Sequence, residues 1–364
     1  MSRKMGLIAL VAVLAILAAA CGGTAETTTT AGSGTTAAPG STELHADLLG
    51  AGATFPEPLY LEWIGEYTTN VQPGVSINYQ GIGSGGGIQQ FIAQTTDFAG
   101  SDAYMKDDEI TAATDARGCA PLHIPMVFGA VAVAYNLPGF DALVLDSDTL
   151  AAIFLGQITN FDDPAIAALN PGMALPDQAI TVVHRSDASG TTNAFTTYLD
   201  DVSPEWSAQV GKGKEVDWPV GIGGEGNDGV AAGIQQNPGG LGYVELSYAL
   251  ENGLPVATMI NADGNAIVPS LASTAAAANG IDIPDDLRFL VLGVGGDGYP
   301  IVTATWVLAW TCGYDAAKAA ALKDYLTWAL VYGDQIAEEL QYAPIPDSLQ
   351  TLALAKVDLI NSEG

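Results

Sequence analysis

Within eight residues, Arg185 to Thr192, the chain gathers a guanidinium, a carboxylate, two serines, a glycine and two threonines (RSDASGTT). An apolar run, Ile180–Val183, precedes this donor-rich segment and helix-like sequence follows it. Two further segments share its layout of a strand or turn, then small residues, then a helix start: Gly52–Pro58 (GATFPEP) and Gly81–Phe91 (GIGSGGGIQQF). The first N–H groups of a helix have no intrahelical acceptor. The terminus also carries a partial positive charge, and small residues let an anion come close. One terminus contributes about 0.3–1 kcal/mol, up to about 2 when partly buried. Each hydrogen bond to a charged group adds about 1.5–3 kcal/mol. Three such termini, if they converge, could hold an oxyanion with few cations. Arg185 could bind it bidentately, with Asp187 holding the fork in place.

Each segment also has a plainer reading. Gly81-x-Gly83-x-x-Gly86 matches the dinucleotide fingerprint, which alone is a weak signal, and it is equally an ordinary glycine-rich turn. Ser186–Thr191 could be an N-cap cluster, since Ser and Thr cap helices in any protein. Arg185 and Asp187 could be a surface ion pair. A hydrolase is less well served. Neither Ser186 nor Ser189 lies in a Gly-x-Ser-x-Gly elbow. The three histidines, His45, His123 and His184, form no ligand cluster with cysteine, so neither a metal nor another cofactor is expected. A serine triad through His123 is conceivable, but nothing in the sequence brings a serine to it. His184 should point away from Arg185 if the two share a strand.

The elements that must position these residues alternate between strand and helix. Leu59, Trp63, Ile64 and Tyr67 recur on one helical face behind Pro56 and Pro58, which suit a first helical turn. Val75, Ile77 and Tyr79 alternate as a strand, Gly81–Gly87 reads as a loop, and Ile88, Phe91 and Ile92 give the next helix. Strands are predicted over Met126–Tyr135, Ile180–Val183, Gly242–Leu246 and Thr303–Trp310. Helices are predicted over Thr192–Leu199, in the segment before Pro238, and at the C-terminus. This alternation predicts layered α/β architecture. The tryptophans are read as core.

With 11 Lys+Arg against 41 Asp+Glu, the net charge is −30. Nucleic-acid binding needs basic surface to displace counterions, and anionic lipid would repel this chain. An anion site is still compatible with the acidity, because exposed charges are largely screened beyond about 8 Å at physiological salt. Arg3 and Lys4 precede a fourteen-residue apolar run, Leu7–Ala20, followed by Cys21. The run is short for a membrane span and has the layout of a secretory signal peptide. A Cys directly after it resembles a lipoprotein signal, in which that Cys is acylated. The usual Leu three residues earlier is replaced by Ala18, with Leu17 beside it. Residues 1–20 therefore read as signal and 21–42 as a flexible tether. Cys119 and Cys312 remain, able to pair in an oxidising compartment or to stay as buried thiols.

In chain order, GAGATFPEPLYLEW, YQGIGSGGGIQQFIA, DFAGSDAYM, FLGQITNFDDPAIAALNPGMALP, HRSDASGTTNAFTTYL and GGEGNDGVAA…GGLGYVE resemble the extracytoplasmic phosphate-binding protein of the phosphate ABC importer. The resemblance spans about residues 46–350. It implies a two-lobed α/β periplasmic-binding-protein fold of type II, with the ligand in the cleft between the lobes. Lobe 1 would comprise 43–127 and 300–364, and lobe 2 128–299. It implies that Ala53, Thr54, Phe55, Ser84, Asp102, Arg185, Ser189, Gly190 and Thr191 bind inorganic phosphate, with Asp187 partnering Arg185. It implies a non-catalytic monomer, without cofactor, that is lipid-anchored to the cell membrane and delivers phosphate to a membrane permease. One position departs: the residue after Ser84 is often a second Ser, and Gly85 here could loosen the turn.

Asp102 by itself reads as a turn or cap residue. Within the resemblance it acquires a chemical purpose. Phosphate near neutral pH keeps a proton and sulfate has none, so a buried carboxylate accepts from one and repels the other. The alternatives are the same fold holding sulfate or molybdate, whose site should lack that acceptor, and an exported phosphatase, which should turn over a phosphomonoester.

Overall fold

The computed structural model describes residues 43–363; the expected signal sequence, the whole of the expected tether and Cys21 lie outside them. The strands are β1 (Ala46–Gly52), β2 (Val75–Gly81), β3 (Phe98–Ser101), β4 (Pro121–Tyr135), β5 (Val144–Leu145), β6 (Thr181–Arg185), β7 (Ile222–Gly224), β8 (Gly240–Glu245), β9 (Thr258–Ile260), β10 (Ala266–Ile267), β11 (Val302–Trp310) and β12 (Ala343–Pro344). The main sheet runs β2-β1-β3-β11-β4-β8-β6-β7, with β12 also on β4, and a small sheet runs β10-β9-β5. Helices between the strands complete the α/β layers.

One strand belongs to two half-sheets. Residues Pro121–Ala130 of β4 pair antiparallel with β11, whereas Val131–Tyr135 pair antiparallel with β8. Nearly the whole strand is buried, as its unbroken apolar run from Met126 requires. It begins earlier than the sequence predicts, at Pro121, because Leu122 and Ile124 also face the interior. Pro125 interrupts the apolar pattern but is accommodated at a bulge. Thr305 pairs with Val127 and Trp306 with Pro125, so Met126 is left over. Proline lacks the ladder donor and is tolerated at such places.

The glycine run also departs from expectation. Gly81–Gly87 is not a loop: a helix starts inside it and spans Gly83–Ile92. The glycines serve close packing. A Cβ on Gly87 would lie 2.5 Å from the Gly52 Cα, and Gly83 turns into the helix with φ +78°. Trp63, Trp206, Trp306 and Trp310 are fully buried, as a core role demands. Among the described residues no helix is long and apolar enough to cross a membrane.

Cys119 and Cys312 are bonded, with Cα atoms 6.1 Å apart and a sequence separation of 193. The bond lies just beyond the Pro121–Trp310 pair that ends the β4–β11 ladder. Closing so long a loop restricts the unfolded chain. The double substitution Cys119→Ser/Cys312→Ser should therefore lower stability by about 2–4 kcal/mol, read as a reduced urea midpoint. An unchanged midpoint would show that the ladder alone sets the stability of this end.

Candidate functional site

Three of the donor-rich segments come together where the half-sheets meet. Ala53, Thr54 and Phe55 leave β1 and lead into the helix Glu57–Glu66. Ser84 is the second residue of the helix Gly83–Ile92. From the other half-sheet, Arg185 ends β6, and Ser189 caps the helix Gly190–Val202 by accepting the Thr192 N–H at 3.0 Å. The N-cap reading of this cluster is thus correct for the Ser189 hydroxyl. The amides of Thr54, Phe55, Ser84 and Thr191 meet no acceptor among the described residues.

Contacts between the two sides are direct. Gly190 N–H donates to Ser84 Oγ at 3.1 Å, and Gly85 N–H donates to Ala188 O at 2.8 Å. Gly85 does not loosen a turn. A Cβ there would sit 2.3 Å from the Ala188 Cβ, so glycine permits the approach of the opposite loop. Gly190 is similarly constrained: a Cβ there would lie 2.6 Å from Asp102 Oδ2. Loops packed this closely suit a small anion rather than a dinucleotide.

Arg185 is only 3% exposed, which removes it from the class of surface ion pairs. Its Nε donates to Asp187 Oδ1 at 2.7 Å and its Nη2 to Oδ2, leaving Nη1 on Thr191 Oγ1 at 3.3 Å. Asp187 also accepts the Gly226 N–H at 3.1 Å. Burial pushes the Asp187 pKa up, but Arg185 outweighs it and holds the carboxyl below its usual range.

Asp102 follows β3 and is 2% exposed. Thr305 donates to its Oδ1 at 2.8 Å, its own N–H reaches Ser84 Oγ at 3.2 Å, and Thr303 reaches its carbonyl at 3.3 Å. Both threonines lie on one face of β11 beside the bulge. Burial pushes the Asp102 carboxyl up to about 7, against the opposing pull of Thr305, Arg185 and Ser84.

Two residues that sequence reasoning missed complete the arrangement. Asn227, at the start of the helix Gly226–Gln236, donates from Nδ2 to Thr54 Oγ1 at 3.0 Å and to Thr191 Oγ1 at 3.3 Å. Its Oδ1 accepts the Glu245 N–H at 3.0 Å. The signal for it was present, since GGEGN repeats the strand, small residues, helix layout. Glu245, wholly buried, gave no such signal. Its Oε2 meets Ser247 and, at 2.9 Å, the hydroxyl of Tyr342. That hydroxyl also contacts Phe55 O at 2.6 Å. The Tyr342 hydroxyl thus lies between two acceptors, Glu245 Oε2 and Phe55 O, with Ser247 Oγ 3.1 Å away. Burial pushes Glu245 up to about 8, against the opposing pull of Ser247 and Tyr342.

The histidines stand apart from the site. His123 accepts the Met105 N–H on Nε2 at 2.9 Å and burial pushes it down to about 4, so it is no base for a serine. His184 stacks on Trp218 with ring centroids 4.8 Å apart, while the neighbouring Arg185 is buried in the site. His45 is exposed beside Glu43. No metal-ligand cluster occurs among the described residues.

A mixed α/β sheet shared by two halves, with helix termini facing each other across the seam, defines a two-lobed ligand-binding protein. Residues 23–331 match the model of the PBP superfamily domain. The chain is 42% identical over 305 residues to the phosphate-binding protein PstS of Xylella fastidiosa, covering 82% of each. It is 40% identical over 333 residues to that of Methanocaldococcus jannaschii, covering 85% of each. In fold it resembles a high-affinity periplasmic phosphate-binding protein bound with phosphate, with TM-score 0.71 and 22% identity over 85% of this chain and 93% of that one. A phosphate-binding protein from Stenotrophomonas maltophilia gives TM-score 0.68 and 20% identity over 85% and 94%. The chain belongs to the PstS family of phosphate-binding proteins.

The buried acids make stability depend on pH. Glu245 keeps its proton up to about pH 8 when folded but releases it in the ordinary carboxyl range when unfolded. The folded state therefore binds more protons between those limits, and stability falls as pH rises through them. Asp102 adds the same sign up to about 7. The urea midpoint of Glu245→Gln should fall less than that of the wild type between about pH 5 and 8. Equal slopes would mean that Glu245 is ionised in the folded protein.

Proposed function

We propose that this protein captures inorganic phosphate outside the membrane and presents it to the permease of a phosphate ABC importer, without catalysing a reaction. The observation that carries the reading is a buried carboxylate, Asp102, set among donors drawn from both half-sheets. The phosphate-binding proteins among its relatives support it. The ligands in this reading are Thr54, Phe55, Ser84, Asp102, Arg185, Ser189 and Thr191; Ala53 and Gly190, expected as ligands from the sequence, line the site, but their amides are already taken by Gly100 O and Ser84 Oγ. The free amides of Thr54, Phe55, Ser84 and Thr191 and the hydroxyls of Ser84 and Thr191 meet the phosphate oxygens. Arg185, held in orientation by Asp187, supplies the cation. Asp102 accepts the remaining proton. Because these groups come from both sides, an anion between them favours the closed arrangement over an open one. We take the lobes as 43–127 with 300–364, and 128–299; the change of partner within β4 supports a division near its middle.

The chain is further proposed to act as a monomer tethered through an acylated Cys21, by the layout of its first residues. Mass spectrometry of the purified membrane fraction should find lipid on Cys21. An unmodified mature N-terminus on freely secreted protein would remove the anchor.

The identity of the anion is tested at Asp102. The donors suit any tetrahedral oxyanion, and only an acceptor can prefer phosphate. Asp102→Asn keeps shape and one acceptor oxygen, so phosphate should lose about 1–2 kcal/mol, the scale of one hydrogen bond. Sulfate should gain, because the repelling charge is gone. Wild-type sulfate affinity should also rise as pH falls toward about 7 and level off below it, following protonation of Asp102. Calorimetric titration with both anions checks this. A phosphate-to-sulfate ratio that is near one in the wild type, or unchanged in Asp102→Asn, would rule out Asp102 as the selector.

A further inference from the structure

Three consecutive carbonyls of the loop after β1 are each gripped by a tyrosine hydroxyl. Tyr79 donates to Ala53 O at 2.8 Å, Tyr248 to Thr54 O at 2.5 Å and Tyr342 to Phe55 O at 2.6 Å. All three phenols are buried. Burial pushes each pKa upward, so they remain protonated donors.

The consequence follows from peptide geometry. In a trans peptide the carbonyl and the next N–H lie in one plane and point in opposite directions. A donor on the Ala53 carbonyl therefore fixes the Thr54 N–H, and a donor on the Thr54 carbonyl fixes the Phe55 N–H. The Phe55 carbonyl precedes Pro56, which has no N–H to aim. Thr54 and Phe55 are the loop amides that lack an acceptor among the described residues. A hydrogen bond at the carbonyl also polarises the peptide and strengthens its N–H as a donor, by about 10–30% in condensed-phase estimates.

The three tyrosines differ in origin. Tyr79 lies on β2, which pairs with β1. Tyr342 directly precedes β12 and packs its ring against Phe55. Tyr248 comes from the helix Leu246–Glu251, which continues from β8 in the opposite half-sheet. Its bond to the loop therefore runs from one half to the other.

We propose that Tyr248 is a positioning residue that couples closure to anion binding, its hydroxyl orienting and polarising the Thr54–Phe55 peptide so that the Phe55 N–H becomes a full donor only in the closed protein. The inference rests on the phosphate-binding reading above.

The test is Tyr248→Phe, with Tyr79→Phe for comparison. Phosphate affinity by calorimetry should weaken about tenfold in Tyr248→Phe, the scale of one hydrogen bond, mainly through faster release in stopped flow. The decisive reading is spectroscopic. In the phosphate-bound state, Tyr248→Phe should move the Phe55 amide proton upfield and leave that of Thr54 nearly in place; Tyr79→Phe should do the reverse. Mere loss of packing would not separate the two amides. A Phe55 resonance indifferent to Tyr248→Phe, or an affinity within twofold of wild type, would overturn the proposal. If Tyr248→Phe fails to fold, the Thr54 carbonyl carbon of the wild type decides. It should move downfield when phosphate is added, and an unmoved resonance overturns the coupling. Wild-type protein that binds no phosphate would overturn the functional reading itself, whereas binding with an indifferent Tyr248→Phe would overturn this inference alone.

Discussion

Asp102 and Arg185 are ionisable groups buried at one seam, and the surrounding structure answers the cost of taking them out of water. Removing one partner from a buried charge pair destabilises by about 3–5 kcal/mol, so each needs company. Arg185 receives it from Asp187 and Thr191. Asp102 receives it from Thr305, Ser84 and its own backbone. Asp102 still sits at about 7, which means that these neighbours do not fully compensate for its burial. A site that leaves a carboxylate short of donors is ready for a ligand that brings one.

That requirement explains several choices elsewhere. Thr303 and Thr305 reach Asp102 from β11 beside a bulge, and bulges re-aim side chains. Gly85 and Gly190 lack side chains where the opposing loops approach most closely. Asn227 ties Thr54 of one side to Thr191 of the other and anchors on the Glu245 backbone. Glu245 itself pairs with Val131 at the place where β4 changes partners. The residues proposed to bind the anion and the junction of the half-sheets are therefore one connected polar network.

Much of this was legible in the sequence, for reasons that can be named. Helix termini announce themselves through small residues and caps, which is why the segments around Thr54, Ser84 and Ser189 were found. The α/β alternation was readable from apolar periodicity. Four kinds of feature were not. β1, with three glycine or alanine positions at its end, has little apolar pattern, and its identity as a strand comes from pairing with β2 and β3. The glycine run reads as a loop because glycine disfavours helix, yet packing against Gly52 overrides propensity there. Thr305 and Glu245 lie in apolar strands and gain their roles only from neighbours distant in the chain. The pairing of Cys119 with Cys312 was left open by the sequence, because it depends on two strand ends 193 residues apart being adjacent.

The arrangement of β4 and β11 has a topological consequence. The two strands form an antiparallel stem, from the Pro121–Trp310 pair at one end to the Ala130–Val302 pair at the other. The chain leaves the stem after Ala130 and returns to it at Ile301, whose carbonyl accepts the Val131 N–H at 2.8 Å. Everything between is an excursion that starts and finishes at one point, while the Cys119–Cys312 bond staples the far end of the stem. The excursion also folds back on the stem, where Leu287 O accepts the Trp306 indole N–H at 2.8 Å and Phe289 packs on Phe128 and Trp306. The two strands are thus tied covalently at one end of the stem and by the backbone of the excursion at the other.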